Sequence, residues 1–168
     1  WVKYYSEMIM LVETTEDVYK AVSGVFDGTD IYISAGALCD FSNQPLKEKI
    51  KKDGKNMVLN MKPSVDVFSE LSKQKKNQLM VGFALETNDL ERNAKDKLVS
   101  KGMDVVVANS VDAIDSKTSN AIIIDKKGIR KYIKESEKRV MAEEILREIE
   151  KILFESKIPV EKTNQEAH

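Results

Sequence analysis

The sequence predicts an α/β fold: a mostly parallel, Rossmann-like sheet with helices on both faces and a C-terminal antiparallel hairpin. Three observations lead there. Short apolar runs rich in β-branched residues alternate with segments of helical periodicity. Two of the runs, Gln78–Ala84 and Asp104–Ala108, are almost continuously apolar, as strands buried on both faces must be. Near the end of the chain, Asp125-Lys126-Lys127-Gly128 separates two β-rich stretches and reads as a hairpin with a four-residue turn.

Met8–Val12 opens as a strand, after which Thr14 or Thr15 caps a helix carrying Val18, Ala21, Val22 and Val25 at helical spacing. Phe26-Asp27-Gly28 is expected to end that helix through glycine's tolerance of the left-handed cap. Asp30–Ala35 is a second strand and runs into the small residues Ala35-Gly36-Ala37, which let a ligand or backbone come close. Asp40–Asn56 is polar and lysine-rich and reads as a mobile loop; Met57–Met61 returns to strand. Ser64 is expected to cap a short helix through Leu71. Asn88 is expected to cap the next, which presents Leu90, Ala94 and Leu98 to the sheet and ends at Lys101-Gly102. Asn120–Ile124 and Ile129–Ile133 form the hairpin strands. Ser136 opens a long final helix with an apolar stripe of Val140, Met141, Ile145, Ile149, Ile152 and Leu153.

With 168 residues the chain fits one domain, spanning 1–158, followed by a loose polar tail at 159–168. Its 27 basic and 28 acidic side chains give a net charge of -1, without the basic excess that phosphate-driven binding of nucleic acid calls for. Nucleic acid is therefore not an expected partner. The one cysteine, Cys39, allows no internal disulfide and no cysteine-rich metal site, and is most simply a small buried residue. The one histidine, His168, is the last residue and reads as non-functional, which argues against histidine-based catalysis. No apolar run approaches the ~18 residues of a membrane span, and no signal peptide is visible, so neither a membrane nor export is expected and the localisation reads as cytoplasmic. The chain begins at Trp1, close to a strand, and is expected to be a piece with something upstream.

In a parallel sheet of this kind ligands bind beyond the carboxyl ends of the strands. The unusual residues gather there: Ala35–Asp40 after one strand, Glu86–Asn88 after another, Asn109 after a third. The run Lys49-Ile50-Lys51-Lys52 could neutralise charge building on a leaving pyrophosphate, although on spacing alone it is most simply a solvated loop. Lys97 and Lys101, four apart on one helix face, could grip a triphosphate or could be exposed cations near a helix C-terminus. Asp40 could hydrogen-bond a ligand or meet a magnesium ion carried by a nucleotide, against the plainer role of a turn-capping aspartate. Phe83, beside Gly82, reads on pattern as core. No Walker loop and no Gly-x-Gly-x-x-Gly follows a strand, and the Glu143-Glu144 pair lies on a solvated helix face.

Taken in order, several of these segments resemble phosphopantothenoylcysteine synthetase, the ligase half of the bifunctional coenzyme A biosynthesis flavoprotein. The stretches are Ser34-Ala35-Gly36-Ala37-Leu38-Cys39-Asp40-Phe41, Lys49-Ile50-Lys51-Lys52 and Val81-Gly82-Phe83-Ala84-Leu85-Glu86-Thr87. They continue with Ala94, Lys97, Leu98, Lys101 and Asp104, then Ala108-Asn109, Asn120, Lys138 and Ala142, so the likeness runs from about Val12 to Ile149. The resemblance implies a CTP-dependent ligase that activates the carboxylate of 4'-phosphopantothenate as an acyl-cytidylate and forms an amide with cysteine. It implies that Ser34, Ala35 and Gly36 line the nucleotide pocket, that Asp40 and Phe83 touch the nucleotide, and that Lys97 and Lys101 bind the triphosphate. Lys49 would be the catalytic lysine acting on the reacting phosphate. The family's Asn-Pro-Asp-Ile helix start, another nucleotide contact, falls at Ser64-Val65-Asp66-Val67-Phe68, where Val65 stands in the proline position. Gly36 and Cys39 occupy positions more often alanine.

The implied ion is magnesium, bound with CTP and possible at Asp40; FMN belongs only to a decarboxylase domain absent from this chain. The implied assembly is a homodimer through the hairpin region, which also fits the otherwise exposed sheet edge. The family's opening strand and glycine-rich turn would lie before Trp1. Two other readings compete: a non-catalytic nucleotide-binding module, which needs Asp40 and Phe83 but not Lys49, and a dehydrogenase, which lacks its glycine fingerprint here.

Overall fold

The computed structural model describes residues 8–43, 56–86, 88–110 and 117–157. The chain divides into two compact units, one made of 1–30 and 36–77, the other of 31–35 and 78–168.

In the second unit, β1 (Ile31–Ser34), β4 (Leu79–Glu86), β5 (Val105–Ser110), β6 (Thr118–Asp125) and β7 (Gly128–Glu137) form one sheet in the order β1-β4-β5-β6-β7. The first three run parallel, and β6 and β7 are antiparallel to their neighbours, so the expected parallel sheet with a terminal hairpin is what forms. Its core follows from strand alternation. Leu79, Val81, Val105, Val107, Ala121, Ile123 and Ile133 point to one face, where Met141, Ile145, Ile149 and Ile152 of α4 (Lys138–Lys157) cover them. Helix α3 (Leu90–Ser100) lies against the other face of β4 and β5 through its buried Ala94 and Leu98.

The amino ends of β4 and β5 are locked by Asp104. Its backbone N–H donates to the Met80 carbonyl at 2.9 Å, and its carboxylate accepts the Met80 N–H at 2.8 Å. The other carboxylate oxygen accepts Lys126 Nζ at 2.8 Å, tying the hairpin turn to the same point. That turn is tighter than the sequence implies. Only Lys126 and Lys127 lie between the strands, with Gly128 at φ 130, a backbone conformation that favours glycine.

In the first unit, α1 (Thr15–Ser23) is opened by a capping box: Thr14 accepts from Asp17 N, and the Asp17 carboxylate accepts from Thr14 N. The Thr14 hydroxyl, which donates to the Asp17 carboxylate at 2.6 Å, does most to hold that carboxyl below its ordinary value, and the Thr14 N–H adds to it. A short ladder pairs β2 (Phe41–Ser42) with β3 (Lys62–Pro63), and α2 (Val67–Gln74) packs near α1, with Gln74 Nε2 donating to the Tyr19 hydroxyl.

Several expectations about boundaries are corrected. Met8–Val12 and Met57–Met61 form no strand among the described residues, because strand composition alone cannot make one without a neighbour to pair with. Helix α1 stops at Ser23, and Phe26–Gly28 is a separate 3-10 turn. Asp66, not Ser64, caps α2, since its carboxylate reaches Ser69 N at 3.1 Å and carries the charge a helix start favours. Asp89, not Asn88, precedes α3, in the left-handed conformation that aspartate tolerates. Ser136 opens no helix: it pairs with Ser119, and β7 continues to Glu137. Val140 is exposed, outside the buried stripe. Cys39 is exposed as well.

Candidate functional site

The carboxyl edge of the parallel strands belongs to the second unit. Ser34, the last residue of β1, stands opposite Gly82 of β4, and the chain leaves the sheet through the exposed Ala35. On the next pair, Leu85 stands opposite Asn109 and Glu86 opposite Ser110. Alternation places Ser34, Gly82 and Glu86 on the α3 face. Gly82 brings no side chain there, although the position itself is buried. Tyr32, two residues before Ser34 and on the same face, is half-buried. Burial pushes its phenol up, partly offset by a hydrogen bond with Ser34.

Phe83 points the other way. It is half-buried against the core that α4 covers, which agrees with the plain reading of the pattern, and what it offers the ligand edge is backbone. Lys97 reaches that edge because long helical side chains lean toward the helix N-terminus. Its Nζ sits 2.7 Å from Glu86 Oε1. Lys101 lies one turn later, just past the end of α3, about 6 Å further along the axis.

The other candidates are in the first unit. Gly36 is exposed, and a Cβ added to it would meet nothing within 4 Å, so this position has room for the alanine common in the family. Asp40 is exposed at its side chain, while its carbonyl accepts Ser64 N at 2.8 Å. Val65 is half-buried and Asp66 caps α2, its carboxylate engaged by Ser69 N and Oγ. Val67 and Phe68, in the first turn, are buried, so their side chains serve packing. Lys49, with Lys51 and Lys52, lies outside the described residues. Among the described residues, no group of three or more His, Cys, Asp or Glu side chains is placed to hold a metal ion, and no helix is long and apolar enough to cross a membrane.

The residue that sequence reading left without a role is Glu86. Its position at a strand end was visible, but its pairing with a lysine eleven positions on was not, because that depends on how α3 folds back over β4.

Parallel strands ending in small and polar residues, with a helix lysine drawn over them, define an α/β domain of the ligand-binding type. Residues 4–153 match the family described as DNA/pantothenate metabolism flavoprotein C-terminal domain, and the chain belongs to that family. It is 37% identical over 143 residues to the coenzyme A biosynthesis bifunctional protein CoaBC of Bacillus subtilis (strain 168), covering 82% of this chain and 35% of that protein. It is also 37% identical over 144 residues to a cysteine/cysteine sulfinic acid decarboxylase of an unknown prokaryotic organism, covering 82% of this chain and 40% of that protein. Among solved structures, the C-terminal domain of a coenzyme A biosynthesis bifunctional protein CoaBC aligns with a TM-score of 0.71 at 27% identity, over 86% of this chain and 65% of that one. The family expected from the motifs is thus borne out, as is the fold class. The chain spans well under half the length of these two curated relatives.

Proposed function

We propose that this chain is a cytoplasmic phosphopantothenate–cysteine ligase domain that uses CTP. In the first step the 4'-phosphopantothenate carboxylate attacks the α-phosphorus of CTP; the bond to the β-phosphate breaks, and pyrophosphate leaves with an acyl-cytidylate formed. In the second the cysteine amine attacks the acyl carbon, the bond to CMP breaks, and the amide forms with loss of a proton. Ser34, Ala35 and Gly36 border the nucleotide, Phe83 contributes backbone, and Lys97 and Lys101 bind phosphate oxygens. Asp40 and the α2 start at Val65, Asp66, Val67 and Phe68 add nucleotide contacts, with Val67 and Phe68 limited to backbone. Lys49 neutralises the leaving pyrophosphate. Asp40 would be the residue to meet a magnesium ion carried by the nucleotide, which would supply charge neutralisation at the phosphates.

The observation that carries this reading is the carboxyl edge itself: Ser34 against side-chain-free Gly82, with the Lys97 ammonium held on the same face, in a chain of this family. The test is thermal unfolding with CTP, ATP and GTP, each with magnesium. A nucleotide present at about 100 times its dissociation constant should add about 2.7 kcal/mol of stability. CTP is expected to give the largest shift, and no shift with any of the three removes nucleotide chemistry from the chain.

The proposed assembly is a homodimer through the hairpin. Strand β7 is one of the two outer strands of the described sheet, and it exposes Tyr132 (65%) beside Ile129. Light scattering at micromolar concentration should return twice the mass of the chain, and Tyr132→Glu should return the monomer.

A further inference from the structure

Glu86 ends β4 on the face that carries Ser34 and Gly82, and its side chain is only 12% exposed. Both of its oxygens are engaged. Oε1 is shut off from solvent and lies 2.7 Å from Lys97 Nζ, in a contact that is an ion pair rather than an aligned hydrogen bond. Oε2 accepts from Asn93 Nδ2 at 3.1 Å, and the same Nδ2 donates to the Asn88 carbonyl at 2.8 Å. Asn93 is one helical turn before Lys97 on α3, so the two neighbours approach Glu86 from one helix face. The carboxylate is therefore fixed from behind by an amide that is itself fixed to the chain between β4 and α3. Lys97, 43% exposed, lies on its solvent side.

We propose that Glu86 is the positioning residue for Lys97, holding its ammonium ready for a nucleoside triphosphate at the carboxyl edge. This rests on the nucleotide reading above and goes further in naming what orients the lysine. A free lysine has many rotamers and must give them up when it grips a phosphate, at a cost of binding affinity. Here the folded chain has already ordered it. The ammonium has three donors; Glu86 uses one side of it, and the others remain for phosphate oxygens. A competing effect has the opposite sign, because a carboxylate so close to the phosphate also repels it. Its near-complete burial behind the lysine places the cation between the two anions, and the positioning effect wins.

The experiment is CTP binding, with magnesium, to the chain and to Glu86→Gln, Lys97→Met and the double variant, by calorimetry. Glutamine keeps the shape and can still accept from Asn93, so the fold should survive; an unchanged thermal midpoint without nucleotide checks that. Glu86→Gln should raise Kd roughly two- to tenfold, the range expected for ordering one long side chain on binding. Lys97→Met should raise it more, and in the Lys97→Met background Glu86→Gln should change nothing further, a coupling that a merely structural role would not produce. Without nucleotide, the NMR order of the Lys97 ammonium should fall in Glu86→Gln. If Lys97→Met weakens CTP but Glu86→Gln leaves it unchanged or tightens it, the positioning role is overturned and the nucleotide reading stands. If Lys97→Met has no effect, or the unsubstituted chain binds no CTP, the reading fails and the role of Glu86 goes with it.

Discussion

Replacing Lys49 by glutamine should cut turnover of the amide-forming reaction by about two to three orders of magnitude, the scale of losing one preorganised charge at a developing anion. Nucleotide affinity should stay close to its starting value. The asymmetry follows from where the charge builds. The triphosphate already has cationic candidates in Lys97 and Lys101, whereas the bond to pyrophosphate breaks only in the transition state, and only interactions strengthened there accelerate the step. So kcat and kcat/KM should fall together while the dissociation constant for CTP does not move. Glutamine is close to lysine in polarity and reach but carries no charge, and Lys49→Arg should restore part of the rate. Lys51→Gln and Lys52→Gln should cost far less, because the proposed mechanism gives them only supporting roles. The measurement is single-turnover release of pyrophosphate in the presence of 4'-phosphopantothenate. Turnover unchanged in Lys49→Gln would move the chemistry elsewhere. Nucleotide binding with no turnover in any form of the chain would favour a non-catalytic nucleotide module.

The parts of the fold that could be read from sequence are those whose signal is local. The apolar runs at Gln78–Ala84 and Asp104–Ala108 could only be buried strands, and both are. The hairpin followed from its turn residues, and the Met141-Ile145-Ile149-Ile152 stripe faces the sheet as its spacing requires. What failed depended on neighbours that lie far along the chain. Met8–Val12 has strand composition, but no strand pairs with it among the described residues. Ser136 looked like a helix cap until Ser119 across the ladder claimed it for β7. Asp66 displaced Ser64 as a cap by two residues, within the error any local rule carries. The site divides in the same way. The small residues that follow Ser34 were legible at a strand end, and Phe83 as core. Glu86 and Asn93 were not, since their meaning lies in the return of α3 over β4.

The largest stability effect is expected at Arg130, through contacts that no motif announced. Its guanidinium, 20% exposed, faces three carboxylates: Glu155 at 2.6 Å, Glu148 at 3.5 Å and Asp125 at 3.6 Å. It thereby joins β7 to both β6 and α4. Asp125 and Glu148 are each 8% exposed. Arg130→Met keeps much of the aliphatic bulk and removes the charge, leaving two nearly buried carboxylates without the cation they face. Breaking a buried pair from one side costs about 3–5 kcal/mol, and the low end applies here because other groups still compensate. Glu148 keeps Lys151 at 3.2 Å, and Asp125 keeps the N–H groups of Lys127 and Gly128. A loss of about 3 kcal/mol corresponds to a fall in the unfolding midpoint of roughly 6–12 °C.

The pH dependence of that loss separates electrostatics from packing. The hydrogen bond from Arg130, opposed by some desolvation and reinforced by the charge of Arg130, Lys127 and Lys151, holds the Glu155 carboxyl below its ordinary 4.5. As pH falls past that value the unfolded chain takes up the proton first, so the contribution of Glu155 is complete above it and is lost as pH drops through the lower folded-state value. In Arg130→Met this contribution is gone at every pH. The stabilities of the two proteins, read from denaturation curves, should therefore differ by a constant amount well above pH 4.5 and draw together as pH falls from there towards about pH 3. A gap that stays constant over that span would assign the role of Arg130 to packing of its side chain between β7 and α4 instead of to its charge.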